Sequence, residues 1–363
     1  MPPAQQISLK FDRLPDTLMT SGMPQPVRVV LASILAVLGV AALAGCSIEP
    51  EEKIWEISGD VFGTTYHINV VLTEDRETLD DLARGIGQTL DSVDASMSTW
   101  RDDSELSRFN QQQDQSEWTP VSADLFQVLE AARTVAEQKL STIGPVVNLW
   151  GFGPEGRPEQ VPEDEELAES LARTGFRFLE LDAQRQAIRA QRPQYLDLSG
   201  IAKGYGADAV ARYLERQGVD RYLVEIGGEV RVNGRKPDGS AWRLAVEEPV
   251  TLARQVNRVI AMDRNGMATS GDYRNYYESN GQRYSHTIDP ATGRPVAHRL
   301  ASVTVIAGSS MLADAWATAF TVLGYEQGLR LALQKNLAVY FIVREGDGFE
   351  TYHTPAFATY LIE

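Results

Sequence analysis

Two stretches of this 363-residue chain carry residue types whose spacing could do chemistry. In "MLADAWATAFTVLG", Asp314 and Thr318 stand four apart and so share one face of a helix. A carboxylate and a hydroxyl, with a nearby backbone carbonyl, suit Mg²⁺, which keeps several waters and takes one or two carboxylates together with ligand phosphates. On an exposed helix Asp314 would only cap or salt-bridge. Its neighbours Ala313, Ala315, Trp316, Ala317 and Ala319 are apolar all round, however, so the helix reads as buried, and a buried carboxylate needs a partner.

The second stretch, "YLDLSGIAKGYGAD" at 195–208, reads as a short apolar strand running into a loop with Gly200, Gly204 and Gly206 and the lone Lys203. A glycine-rich turn leading into a helix lets backbone N–H groups approach a phosphate, which makes an anionic ligand the first expectation. A P-loop requires Ser or Thr after Gly-Lys, and a dinucleotide fingerprint requires G-x-G-x-x-G; neither is present, which argues against an ordinary ATP or NAD site. A third stretch, "SHTIDPATGRPV", places His286 at a strand end before a turn at 289–293. His286 is either a general base, since histidine titrates near neutrality, or a hydrogen-bonding residue. His67, His298 and His353 have no motif around them and read as structural. A fourth, "STIGPVVNLWGFGP" at 141–154, reads as a rigid loop, with Trp150 and Phe152 assigned to the core on composition; Trp100 is a further aromatic able to stack on a planar heterocycle.

The elements that must position these groups follow from periodicity. Alternation in "WEISGDVFGTTYHINVVL" predicts two strands joined near Gly63, and Leu79, Leu82, Ile86, Leu90 and Val93 predict an amphipathic helix over 77–98. Helices follow over 122–138, capped by Ser122, and after the glycine loop, where Ala207, Val210, Ala211 and Leu214 share a face and Gly218 ends it. Strands then dominate from 221 to 307, two helices cover 311–323 and 325–334, and "LAVYFIVRE" and a segment near 357–362 read as the last strands. Grouped strands with separate helices argue for an α+β fold with mixed, largely antiparallel sheets, over about three hundred residues without linker or repeat.

Composition restricts the function further. The chain carries 34 Lys and Arg against 50 Asp and Glu, a formal charge of −16, which argues against nucleic acid as a partner. An anionic protein that binds an anionic ligand needs a local remedy, and a divalent cation supplies one. The apolar run "VVLASILAVLGVAALA" follows Arg28 and ends in "LAGC", like a bacterial lipobox. Residues 1–45 then form a signal peptide, with Met23 as a possible true start, Cys46 takes the lipid, 46–53 is a tether, and 54–363 is the folded domain. The protein is accordingly expected in the bacterial cell envelope, facing the periplasm and anchored to a membrane; Ser47 is compatible with the outer one. Cys46 is the only cysteine, so disulfides, thiolate catalysis and cysteine metal sites are excluded, and any metal must use oxygen or the four histidines.

Taken together, "DLSGIAKGYGAD", "VEIGGEVRVNG", "ATSGDYRNYY", "SHTIDPATGRP" and "ADAWAT", in this order and with "VNLWGFGP" and the lipobox, resemble the FAD:protein FMN transferases, the ApbE family of flavin-trafficking lipoproteins. The resemblance implies FAD as substrate, Mg²⁺ as cofactor, and transfer of FMN to a threonine or serine hydroxyl of a target protein, such as periplasm-facing subunits of membrane redox complexes, with release of AMP. It implies that Asp197 and Lys203 contact FAD and that the Gly200 carbonyl joins Asp314 and Thr318 around the metal. Phe62, Trp100 and Ile288 fall at flavin-nucleotide positions, as do Leu140, Ser141 and Thr142, although family members usually carry Asp where this chain has Leu140. His286 matches a family histidine and is the candidate base. Hydrolysis of FAD to FMN and AMP, or flavin binding without catalysis, are the alternatives.

Overall fold

The eight strands of the main sheet pair in chain order, each antiparallel to the next: β1 (Glu52–Val61), β2 (Thr64–Thr73), β3 (Tyr222–Ile226), β4 (Glu229–Asn233), β5 (Arg264–Gly271), β6 (Leu300–Ala307), β7 (Ala338–Glu345) and β8 (Gly348–His353). This is a computed structural model, and it describes residues 51–73, 76–136, 144–153, 161–250, 255–271, 276–279 and 282–362. Residues Glu52–Glu363 form one compact unit. The lipobox with Cys46, and Leu140, Ser141 and Thr142, lie outside the described residues.

The meander is interrupted by long excursions, and these carry the helices. Between β2 and β3 run α1 (Arg76–Met97), α2 (Ala123–Ala136), α3 (Gly144–Leu149) and α4 (Ala202–Arg216); between β6 and β7 runs α5 (Ser310–Gln334). Strands β6 and β7 are buried on both faces, which is why they read as continuous apolar runs. Val339, Phe341 and Val343 pack on one side with α2 and α5, while Ala338, Tyr340 and Ile342 pack on the other against the hairpin Trp242–Glu247 and Val256–Met262. Truncating the fully buried Phe341 to alanine would cost about 3–5 kcal/mol.

Three local expectations are corrected. No strand precedes Gly200, and α4 begins at Ala202, so Lys203, Gly204 and Gly206 lie in its first turns rather than in a loop. Two of those glycines serve close packing: a Cβ on Gly204 would lie 2.3 Å from the Ser310 carbonyl oxygen, and one on Gly206 2.9 Å from the Phe62 ring. Residues 144–149 form a helix, because Pro145 sits in its first turn, where no N–H is needed. Near the C-terminus Pro355–Ala358 is a single helical turn around the buried Phe357, and only a bridge from Leu361 to Ile260 follows.

The junction of α4 with α5 is fixed by a buried side chain. Asp208, on α4, accepts the backbone N–H groups of Ser310 at 3.0 Å and Met311 at 2.9 Å, while Ser309 accepts that of Leu312 at 3.2 Å. Three N–H groups that α5 cannot satisfy internally thus have partners. Arg231, on β4, donates to the Gly308 carbonyl at 2.6 Å and lies 3.8 Å from Asp208. Sheet, α4 and the start of α5 are thereby joined.

Candidate functional site

The two chemistry-bearing stretches meet where α4 crosses α5. The Gly204 N–H donates to Asp314 Oδ2 at 3.1 Å. One turn further along, a Cβ built on Gly200 would lie 2.9 Å from Thr318 Cγ2 and 3.1 Å from its hydroxyl oxygen. The bend at 198–201 and one face of α5 therefore converge, as the spacing of Asp314 and Thr318 predicts. Asp314 is buried at 4% exposure, so its charge requires compensation nearby.

Part of that compensation is the Lys203 ammonium, whose stem crosses Gly227, a residue at φ +60° with no side chain to obstruct it. Lys203 Nζ forms its ion pair with Glu229 Oε1 at 2.6 Å, and Asp314 acts on it through space. Burial alone would lower the lysine pKa, but Asp314 and Glu229 outweigh burial and hold it well above the usual range. Two carboxyls thus share one cation. Burial pushes Glu229 up to about 8, against the pull of Lys203 and with the repulsion of Asp314; Asp314 is raised by burial, against Lys203 and the Gly204 N–H. Glu229 Oε2 is buried and has no hydrogen-bond partner.

Glu229 and Asp208 escape a reading of the sequence. In "EVRVN" the alternation of Val230 and Val232 assigns Glu229 to the polar face with Arg231, yet the strand buries it at 3% exposure. Asp208 reads as an ordinary helical aspartate. The one available signal was an acid beside the Gly227–Gly228 turn, where both glycines take positive φ.

Two adjoining cavities open on this cluster. The first, of about 410 Å³, is lined by Asp197, Gly200, Lys203, Glu229, Asp314 and Thr318, and also by His286 and Ile288. The second, of about 570 Å³, is lined by Phe62, Met97 and Arg101. Thr99, Trp100, Ser199 and Lys203 border both, so the lysine stands at their junction. Asp197 is turned back onto the Ser199 N–H at 2.8 Å. Trp100 is 72% exposed at the rim, well placed to cover a ligand. Ile288 is fully buried beside Val146, Leu149 and Trp150 and serves as packed wall. Trp150 is core, its indole N–H donating to the Gly293 carbonyl at 2.8 Å; Phe152, assigned to the core from composition, packs on the same cluster and also lines the first cavity.

His286 follows the strand Gln282–Ser285 on a bend held by the Thr287 N–H donating to Ser285 Oγ at 3.1 Å. Its ring meets Phe152 edge-on at 6.3 Å between centroids. Among the described residues no group of three or more His, Cys, Asp or Glu could hold a metal. The oxygen groups at the α4–α5 crossing are the Asp314 carboxylate and the Thr318 hydroxyl, with Gly200 packed against the latter. Such an incomplete, all-oxygen set fits a hard divalent cation that draws further ligands from a phosphate, and excess buried negative charge favours one there.

The ApbE family model matches residues 62–341. A curated relative from Haemophilus influenzae, named FAD:protein FMN transferase, is 45% identical over 340 residues, 90% of this chain and 97% of its own length. The Escherichia coli protein of the same name is 38% identical over 331 residues, 88% of this chain and 94% of its own. Among solved structures, the flavin transferase ApbE from Vibrio cholerae superposes with a TM-score of 0.78 at 42% identity, over 85% of this chain and all of that one. The apo form of Pseudomonas stutzeri flavinyl transferase ApbE gives 0.78 at 39%, over 85% and 97%. Agreement of this extent in sequence and in fold leaves one assignment: this chain belongs to the ApbE family.

Proposed function

We propose that the protein moves FMN from FAD to a threonine or serine hydroxyl of a target protein, forming a phosphoester and releasing AMP, with Mg²⁺ as cofactor. The observation that carries this reading is a cavity lined by Lys203, Asp314 and Thr318 that adjoins a second cavity at Lys203, which suits a ligand with two bulky ends and a charged middle. The names carried by the relatives support it.

Each residue then has a task. Lys203 holds negative charge of the pyrophosphate at the junction, and Asp197 borders the same cavity. Asp314, Thr318 and the Gly200 carbonyl would hold Mg²⁺, which supplies charge neutralisation and alignment of the phosphates. The acceptor oxygen attacks the FMN phosphorus, the bond from that phosphorus to the AMP oxygen breaks, and His286 takes the hydroxyl proton. Trp100 and Phe62 border the flavin-sized second cavity, and closure of Trp100 over the rim would help keep water from competing as acceptor.

The test is incubation of the purified protein with FAD, Mg²⁺ and a candidate acceptor, read by intact mass. An FMN adduct on the acceptor, absent when the cation is omitted, supports transfer; free FMN and AMP without an adduct would instead make the protein an FAD hydrolase. The same proposal includes a lipid on Cys46 and action at the periplasmic face on subunits of membrane redox complexes. Release of the protein into the soluble fraction by Cys46→Ser checks the anchor.

A further inference from the structure

Lys203 faces two buried carboxyls but is ion-paired with only one of them. Glu229 Oε1 takes the ammonium at 2.6 Å, while Asp314 accepts the neighbouring Gly204 N–H and influences the lysine only through space. The geometry is maintained from the Glu229 side: the carboxyl is 3% exposed at the start of β4, behind a glycine turn over which the lysine stem runs. A lysine side chain is a flexible four-carbon stem. Without the Glu229 charge, the nearest anion open to it is Asp314.

We propose that Glu229 is a positioning residue which holds Lys203 away from Asp314 and so keeps that carboxylate free for a divalent cation. The inference rests on the cation reading of Asp314 given above. An ammonium salt-bridged to Asp314 and a divalent ion on the same carboxylate exclude one another, because both require its negative charge at contact distance. Glu229 therefore sets the cation affinity without coordinating the ion. Its free Oε2 stays available to a donor brought by the ligand or its water.

The test uses Mn²⁺ alone as probe, with free ion measured by electron paramagnetic resonance in the presence of the full-length protein. At pH 8.5, above the raised Glu229 value of about 8, Glu229→Gln should weaken Mn²⁺ binding tenfold or more, and Glu229→Asp, which keeps the charge, should restore most of it. Lys203→Met in the Glu229→Gln background should recover binding as well, since the competitor is gone; loss of fold or of a ligand would not be repaired by a second deletion. Unchanged Mn²⁺ binding in Glu229→Gln, or no recovery in the double variant, overturns the proposal. Asp314→Asn separates the two readings: if it binds Mn²⁺ as the parent does, the cation site itself is misassigned, whereas loss there with normal binding in Glu229→Gln removes only the role of Glu229.

Discussion

The Gly204 N–H and Asp314 Oδ2 lie 3.1 Å apart although 110 residues separate them in the chain. The contact exists because α4 presents no side chain at that point: a Cβ on Gly204 would sit 2.8 Å from Asp314 Cβ and closer still to the Ser310 backbone. Gly204→Ala must therefore push the helices apart. We expect a loss of about 1–3 kcal/mol in stability from overpacking, together with at least tenfold weaker divalent-cation dependence of turnover. Chemical denaturation and a Mg²⁺ titration of activity check the two effects separately.

Trp100 provides the opposite case, an aromatic side chain with little to do in the free fold. At 72% exposure its removal should leave the thermal midpoint within a degree or so of the parent. Trp100→Ala should nevertheless weaken FAD binding by roughly 3- to 10-fold, the scale of one aromatic stacking contact. Fluorescence titration with FAD measures it, and unchanged affinity would remove Trp100 from the site.

For His286 the expected effect is on rate. His286→Asn should retain FAD binding and lower transfer to an acceptor by about 10²-fold or more, as loss of a general base does. Raising the pH should recover part of the activity as the acceptor hydroxyl loses its proton to solvent base. A variant with near-normal transfer at neutral pH and FAD bound would exclude the role.

The raised pKa of Glu229 predicts a pH dependence of stability in the cation-free protein. A carboxyl at about 8 in the folded state, against 4.5 for the free side chain, binds its proton more tightly when folded. The associated stabilisation is complete below the lower value, declines as pH rises between the two, and is gone above the higher. Compared with Glu229→Gln, which has no such proton, the parent should lose stability across that window. Thermal midpoints of both proteins from pH 5 to 9, with chelator present, measure the difference; parallel curves would contradict it.

Much of this arrangement was legible in the sequence. The four-residue step from Asp314 to Thr318 and the apolar residues around it predicted a buried helix, and α5 spans both residues with Asp314, Ala315 and Ala317 buried. The meander followed from alternation, and even the break between the two C-terminal helices was read at Gly324, which stands at φ +73°. What sequence periodicity could not show was long-range charge. Glu229 and Lys203 are 26 residues apart, and nothing in "EVRVN" signals that an acid on its polar face turns inward to meet a lysine. Likewise the glycines at 204 and 206 look like loop residues locally; only the approach of Ser310 and Phe62 explains them as packing residues within a helix.

The break at Gly324 bears on how faithfully the site keeps its shape. His298 Nε2 lies 2.8 Å from the Thr321 carbonyl oxygen just before the interruption, and a Cβ on Gly324 would run into that imidazole at 2.8 Å. Clamped by Asp208 at one end and by His298 at the other, the segment bearing Asp314 and Thr318 is a short strut fastened at both tips. The outer half, 325–334, has a separate anchorage, Tyr325 and Ala332 packing on the core beside Phe341, so the kink lets each half seat on its own contacts and the inner half keeps its aim.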